Sequence, residues 1–188
     1  MIVPNVLYDD RFPDRFHHIA EEMKVQGIEN YNLCSPIYAS SVVESINLSQ
    51  KKIVRDAMER GDKEICLIED DIMFTAPDSW EVFLKNKPKD YDVYISGSYL
   101  TDNRNEYKEP LVKVNEWVGN HCIIINHTYF QTFLNLPSNQ HIDTANRGLG
   151  DFYVCFPFSA LQRAGFSSNN GAVCDYNQSI PKEYIYKG

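Results

Sequence analysis

Three consecutive acids, Glu69, Asp70 and Asp71, follow the apolar run Ile65–Ile68 without a spacer. A compact apolar run bounded by polar residues reads as a buried central strand. Open α/β sheets bind their ligands just beyond the carboxyl ends of such strands. Neighbouring carboxylates repel one another unless a positive charge sits among them. Hard carboxylate oxygens suit Mg²⁺ or Mn²⁺, and an ion so held can steady a diphosphate as it leaves. The competing reading is a solvated acidic turn. Phosphatases, receiver domains and nucleotide-sugar transferases all place carboxylates at strand ends, so the triplet alone names no reaction.

Other chemistry-bearing residues are scattered. Lys51 and Lys52 stand near an expected helix start, where they would meet either a phosphate or solvent. Gly119, ahead of an isoleucine-rich stretch, would let backbone approach a ligand closely or simply make a turn. Asp143 reads from its neighbours as the N-cap of a short helix. His17 and His18 lie on the first expected helix and read as structural, whereas His121 and His141 are the better candidates for a functional role. Trp117 and Tyr99 are the aromatic residues nearest the expected ligand side, each able to stack on a flat apolar face.

The elements that must position these groups follow from periodicity. Ile2–Leu7 reads as a first strand, and Phe16, Ile19, Ala20 and Met23 make one apolar helix face ended by Gly27. A short strand is expected at Asn30–Leu33, then an irregular serine-rich segment from Ser35 to Leu48. Ser49 is expected to cap a second helix with Ile53, Val54, Ala57 and Met58 inward and Gly61 at its end. After the acids, Asp78 and Glu81 resemble a capping box for a helix through Leu84. Strands are expected at Val93–Ile95, Leu111–Val118, His121–Ile125 and Tyr153–Phe156, with helices near Thr128–Leu134 and Ile142–Arg147. The polar stretch from Tyr99 to Glu109 reads as a loop able to close over a ligand. Strand–helix alternation over the first hundred residues points to an α/β sandwich with a mostly parallel sheet.

Composition narrows the classes. The 188 residues, 43% hydrophobic and 23% charged, suffice for one domain with a full core. Residues 1–188 read as that single domain, either whole or as the N-terminal part of a larger protein. With 18 basic and 26 acidic side chains the formal charge is −8, which argues against nucleic acid or an anionic membrane as partner. No apolar run approaches the roughly 18 residues of a transmembrane helix. The N-terminus lacks the charged and apolar regions of a secretory signal, and the five cysteines are spaced singly. A reduced, cytoplasmic setting is the expectation.

Several segments together resemble glycosyltransferases of the family 25 type, the lipooligosaccharide and collagen galactosyltransferase group. Cys66-Leu-Ile-Glu-Asp-Asp-Ile72 is similar to that family's "LEDD" strand end, and Asn5-Val-Leu-Tyr-Asp-Asp-Arg-Phe-Pro-Asp-Arg15 to its "NLDRRPDR" turn. Ser49 resembles its "SH" serine, with Gln50 in place of the histidine. Trp117-Val-Gly-Asn-His-Cys-Ile-Ile-Ile125 is similar to "GTHAYII", His141-Ile-Asp143 to "PID", and Phe156-Pro-Phe-Ser-Ala-Leu-Gln162 to "PPLVVQ". The shared order, covering most of the chain, is the specific part.

The resemblance implies a GT-A fold and inverting transfer of a hexose from a nucleotide diphosphate donor, a UDP-sugar, to a hydroxyl of a glycan or glycoconjugate acceptor. It implies Asp71 as the metal ligand, with Glu69 as a second ligand or, like Asp70, a contact to the ribose or to metal-bound water. Asp143 falls at the place of the acceptor base, with Asp151 as its rival. Asp10, Arg11 and Arg15 fall where the nucleotide is received, and Ser49, Lys52 and Gly119 join the donor side. Many such enzymes carry a late histidine as a further metal ligand; no histidine follows His141 here, which leaves Gln162 or water for that place. Two other readings stay open: a non-catalytic nucleotide-sugar or carbohydrate-binding domain, and a metal-dependent phosphohydrolase built on residues 69–71.

Overall fold

A computed structural model describes residues 2–101 and 110–188, so most of the loop expected over Tyr99–Glu109 lies outside the described residues. The chain opens with β1 (Pro4–Leu7), α1 (Pro13–Val25), β2 (Asn32–Cys34) and α2 (Val42–Arg60). β3 (Glu64–Glu69) turns through Asp70 and Asp71 into β4 (Ile72–Phe74), and α3 (Ser79–Lys85) leads to β5 (Val93–Ile95). Next come β6 (Leu100–Thr101), β7 (Leu111–Val114), β8 (Trp117–Val118) and β9 (Cys122–Asn126). Two short helices follow, α4 (Phe130–Asn135) and α5 (Ile142–Ala145), then β10 (Phe152–Cys155) and β11 (Ala160–Gln162). The hairpin β12 (Gly165–Ser167) and β13 (Ala172–Cys174) comes last among the strands.

Seven strands form the central sheet in the order β2-β1-β3-β9-β5-β10-β7. The pairings β1–β2, β1–β3 and β5–β10 are parallel, while β9 runs against both its neighbours and β7 against β10. Five of the seven strands therefore share one direction. The sheet is mostly parallel, with an antiparallel strand at its centre and another at one edge.

Period-two alternation divides the core between the two faces. On β3, Ile65 and Leu67 pack with Ile53, Val54 and Ala57 of α2 and with Phe130 and Phe133 of α4. Cys66 and Ile68 point the other way, among Ile19 and Met23 of α1 and Trp80 and Phe83 of α3. Tyr94 of β5 stacks on Phe83 at 4.5 Å between ring centroids, an offset-stacked separation worth about 1 kcal/mol beyond burial. Helices thus cover both faces, and the fold is mixed α/β.

Three sequence expectations shift. α2 begins at Val42, not after Ser49: Ser41 is its N-cap and accepts from the Glu44 N–H at 3.2 Å. Ser41-Val-Val-Glu44 is itself a capping-box spacing, hidden in a serine-rich stretch that reads as loop. Inside the helix Ser45 and Ser49 donate back to the carbonyls of Ser41 and Ser45, which satisfies their hydroxyl donors without leaving the helix. The strand expected over Leu111–Val118 breaks at Asn115 and Glu116, β7 joining the central sheet and β8 pairing with β6. Asp78 precedes α3 without a side-chain cap bond; its carboxylate accepts from the Tyr186 hydroxyl instead. Among the described residues no helix is long and apolar enough to cross a membrane, and the five cysteines are unpaired with one another.

Candidate active site

The carboxyl ends of β1 and β3, together with the Gly119–Asn120 turn before antiparallel β9, surround one cleft of about 770 Å³. Because β9 runs the opposite way, its N-terminal approach falls at the same sheet end as the C-terminus of β3. Arg11, Arg15, Ser49, the three acids, Gly119 and Asp143 all line this cleft.

On the β1 side the Arg11 guanidinium forks onto Asp9, Nε to Oδ1 at 2.9 Å and Nη2 to Oδ2 at 2.5 Å. That bond holds the Asp9 carboxyl below the usual carboxylate range despite partial burial. The same guanidinium lies over the Tyr38 ring, 4.5 Å from its centroid. Tyr38 is 55% exposed and its hydroxyl lies 3.2 Å from both Asp9 and Asp10. Asp9, rather than the expected Asp10, lines the cleft, and its N–H donates to Asp70 Oδ2 at 3.0 Å. Arg15 reaches down from α1 to Asp70 Oδ1 at 2.5 Å and donates to the Phe166 carbonyl of β12 at 2.7 Å. It stands 4.0 Å from Asp71 as well, so one guanidinium serves two of the three acids.

The floor is acidic and short of donors. Among the described residues Glu69 takes one side-chain hydrogen bond, from Gln50 Nε2 at 3.3 Å. Burial, reinforced by the charges of Asp71, Asp143 and Asp70, pushes its carboxyl far above the ordinary value. Burial also raises Asp70, against the pull of Arg15, and raises Asp71 to about 6 with the help of the Asp70 charge. Gln162 Nε2 donates to Asp71 Oδ2 at 2.6 Å, and the Tyr99 hydroxyl donates to Gln162 Oε1 at 2.8 Å. This fixes the Gln162 amide and leaves Asp71 Oδ1 buried with no partner among the described residues.

An orphaned carboxylate oxygen beside a second acid fits a divalent cation. No three His, Cys, Asp or Glu side chains converge on a single point among the described residues. Two protein carboxylates suit an ion such as Mg²⁺ that takes its remaining oxygens from a substrate diphosphate and water.

On the far wall Asp143 lies in the first turn of α5, whose N-cap is His141. The Gly119 N–H donates to Asp143 Oδ2 at 3.0 Å and the Thr144 N–H to Oδ1 at 2.8 Å. Gly119 has φ +107°, a conformation open to glycine, and a Cβ there would stand 2.9 Å from the Tyr99 ring. With the Thr144 hydroxyl, which also donates to Oδ1 at 3.2 Å, three bonds thus hold the carboxylate at the cleft edge.

Besides Asp10, three expected residues lie elsewhere. Asp151 precedes β10, which runs parallel to β5, so it falls at the opposite end of the sheet, paired with Lys113 at 2.5 Å. Lys52 is exposed and paired with Asp56 at 2.6 Å, because the helix turns it outward when Lys51 turns inward. Trp117 is 1% exposed and donates to Asn120 Oδ1 at 2.9 Å, so strand alternation gives its ring to the core while Tyr99 lines the cleft. Ser49 faces the cleft with its hydroxyl engaged, accepting from Ile37 N–H at 2.7 Å. His121 is fully buried, its ring nitrogen 3.0 Å from the Ala160 carbonyl, and burial depresses it to about 4, which keeps it neutral. Asp9, Tyr38, Asn47 and Tyr176 were not singled out in the sequence, although each lines the cleft.

No family model matches the chain, and no curated protein matches it. Among solved structures it is similar to A197 from STIV, at 13% identity and TM-score 0.49 over 82% of this chain and 81% of that one. It is also similar to a glycosyltransferase involved in the glycosylation of the major capsid of PBCV-1, at 9% identity and TM-score 0.40, covering 70% and 63% of the two chains. A nucleoside-diphosphate-sugar pyrophosphorylase from Vibrio cholerae RC9 matches at 11% identity and TM-score 0.42 over 85% and 76%. These are distant likenesses, and the functional reading rests on the residues of the cleft.

Proposed function

We propose that this chain is a GT-A glycosyltransferase of the family 25 type, moving a hexose with inversion from a UDP-sugar to a hydroxyl of a glycan acceptor. The observation that carries the reading is the convergence, in one cleft, of Arg11 and Arg15, the acids 69–71 and, across from them, Asp143. A nucleotide entering beside β1 meets the exposed face of Tyr38 for its base and the two guanidinium groups for its phosphates. Asp71, with Glu69 beside it, would hold Mn²⁺ or Mg²⁺, whose charge offsets that of the departing diphosphate.

Asp143 acts at the acceptor. Its carboxylate takes the proton of the attacking hydroxyl as the new C–O bond forms at the anomeric carbon and the bond to the diphosphate breaks. The Gly119 and Thr144 N–H groups fix the plane of that carboxylate, so the basic lone pair is presented in one direction.

Calorimetric titration with a panel of nucleotide sugars, with Mn²⁺ and with chelator, tests the donor half of this proposal. Micromolar binding of one UDP-sugar that disappears with chelator is the expected result. Heatless titrations with every nucleotide sugar would overturn it, and release of phosphate from simple phosphomonoesters would replace it with hydrolysis.

A further inference from the structure

Helix α2 carries two polar stripes that have no place in the chemistry above. Ser45 and Ser49 lie one turn apart, and so do Asn47 and Lys51; two residues of offset put the stripes about 200° apart around the helix. The first stripe holds the loop before the helix. Ser45 Oγ accepts from the Ala39 N–H at 2.9 Å and Ser49 Oγ from the Ile37 N–H at 2.7 Å, bracketing Tyr38. The second holds the loop before α5. Asn47 Nδ2 donates to the Gln140 carbonyl at 2.7 Å, while Lys51 Nζ donates to the Leu136 carbonyl and to Ser138 Oγ at 3.0 Å.

Both members of the second stripe are buried, Asn47 at 1% and Lys51 at 5% exposure. Asn47 spends its other N–H on the Val43 carbonyl at 2.9 Å, so its orientation is fixed. A buried ammonium is costly and survives only where its donors are met. Here they meet the end of α4 and the segment leading to His141 and Asp143.

We infer that α2 is a two-sided clamp setting the width of the cleft, and that Asn47 and Lys51 are positioning residues for Asp143. The inference rests on the reading of Asp143 as the acceptor base. One stripe fixes the nucleotide wall and the other the acceptor wall, so a single rigid helix sets the separation between donor and base.

Amide hydrogen exchange on the full chain tests the clamp without any substrate, because the Gly119 N–H reports the position of Asp143. In Lys51→Met and in Asn47→Ala the Gly119 amide should exchange about tenfold faster, while the mid-helix amide of Val54 is unchanged. In Ser49→Ala the Gly119 amide should stay protected and the Ile37 amide should lose protection. Unaltered Gly119 exchange in both second-stripe variants would overturn the clamp, as would equal acceleration at Gly119 and Val54. If Lys51→Met does not fold, Ser138→Ala removes one of its two acceptors and takes its place.

Once titration has identified a donor, Lys51→Met should lower kcat about tenfold at unchanged donor affinity, and Ser49→Ala should weaken donor affinity at nearly unchanged kcat. Equal losses in both parameters for both variants would mark a general structural role. A blank titration with every nucleotide sugar sinks the transferase reading and leaves the exchange result standing, so the two failures are distinct.

Discussion

Glu64 and Glu69 stand at the two ends of β3, and their surroundings are opposite. Burial raises Glu64, but hydrogen bonds from Lys87 and from the Tyr91 hydroxyl, the latter at 2.5 Å, outweigh it and bring the carboxyl below its ordinary value. Among the described residues Glu69 has one amide N–H for company, and the charges of Asp71, Asp143 and Asp70 outweigh that of Arg15 around it. The contrast extends across the sheet. At the Glu64 end Asp151 pairs with Lys113, and Asp92 accepts from the Asp151 N–H at 2.8 Å. At the Glu69 end Asp71 Oδ1, Gln50 Oε1 and Asn47 Oδ1 are buried without partners among the described residues. One end of the strand is electrostatically settled; the other holds acceptors in want of donors or a cation. Such concentrated, unpaired polarity in a cleft is the physical mark of a binding site.

The strongest test of that contrast neutralises one carboxylate at each end. Asp143→Asn should lower sugar transfer by about 100-fold or more, the usual worth of a positioned base, while donor affinity is kept. Asp151→Asn, at the settled end, should transfer at the wild-type rate. If the losses are reversed, Asp151 is the base and the cleft has been assigned to the wrong sheet end. Initial rates with saturating donor decide it.

Stability gives a second test of opposite sign. Glu69 is held well above its unfolded value of 4.5, so the stability it contributes is fully present below 4.5 and falls as pH rises towards the raised folded value. Asp71 adds to the same trend between 3.8 and about 6. Glu69→Gln should therefore raise stability at neutral pH and do little at pH 3, below the unfolded value, where the carboxyl is protonated in both states. Glu64 is the reverse case: its stabilisation is present above 4.5 and lost as pH falls through the lowered folded value. Glu64→Gln should destabilise at neutral pH and converge with the wild type in acid. Urea unfolding at the two pH values reads both variants.

Gly119→Ala comes next. Its positive φ and the 2.9 Å approach of a new Cβ to the Tyr99 ring predict a loss of about 1–3 kcal/mol, and its N–H would leave Asp143. A thermal melt and the transfer rate should fall together, with donor affinity less affected.

These positions were not equally legible in the sequence. β3 and its acids were, because four apolar residues closed by carboxylates carry their own signal. α2 was legible from Ile53 to Gly61, where burial sets the period, and illegible from Val42 to Leu48, where Ser45 and Asn47 turn their polar groups to neighbouring loops. The choice between Asp143 and Asp151 has no local signal. It depends on β10 running parallel to β5, which is a property of topology. Trp117 illustrates the same limit at short range: two residues from Gly119, it is turned away from the cleft by the alternation of β8.

The smallest expected effect sharpens the comparison at a single turn of helix. Lys51 and Lys52 are adjacent and chemically identical, yet the first is buried on the loop before α5 and the second pairs with Asp56 in solvent. An exposed i,i+4 pair contributes about 0.3–0.5 kcal/mol and salt screens it. Lys52→Ala should accordingly shift stability by no more than about 0.5 kcal/mol and leave donor affinity unchanged. A clear loss of nucleotide-sugar affinity in that variant would mean that Lys52 leaves Asp56 to meet the phosphates, and the donor wall would then extend beyond the cleft that Arg11 and Arg15 define.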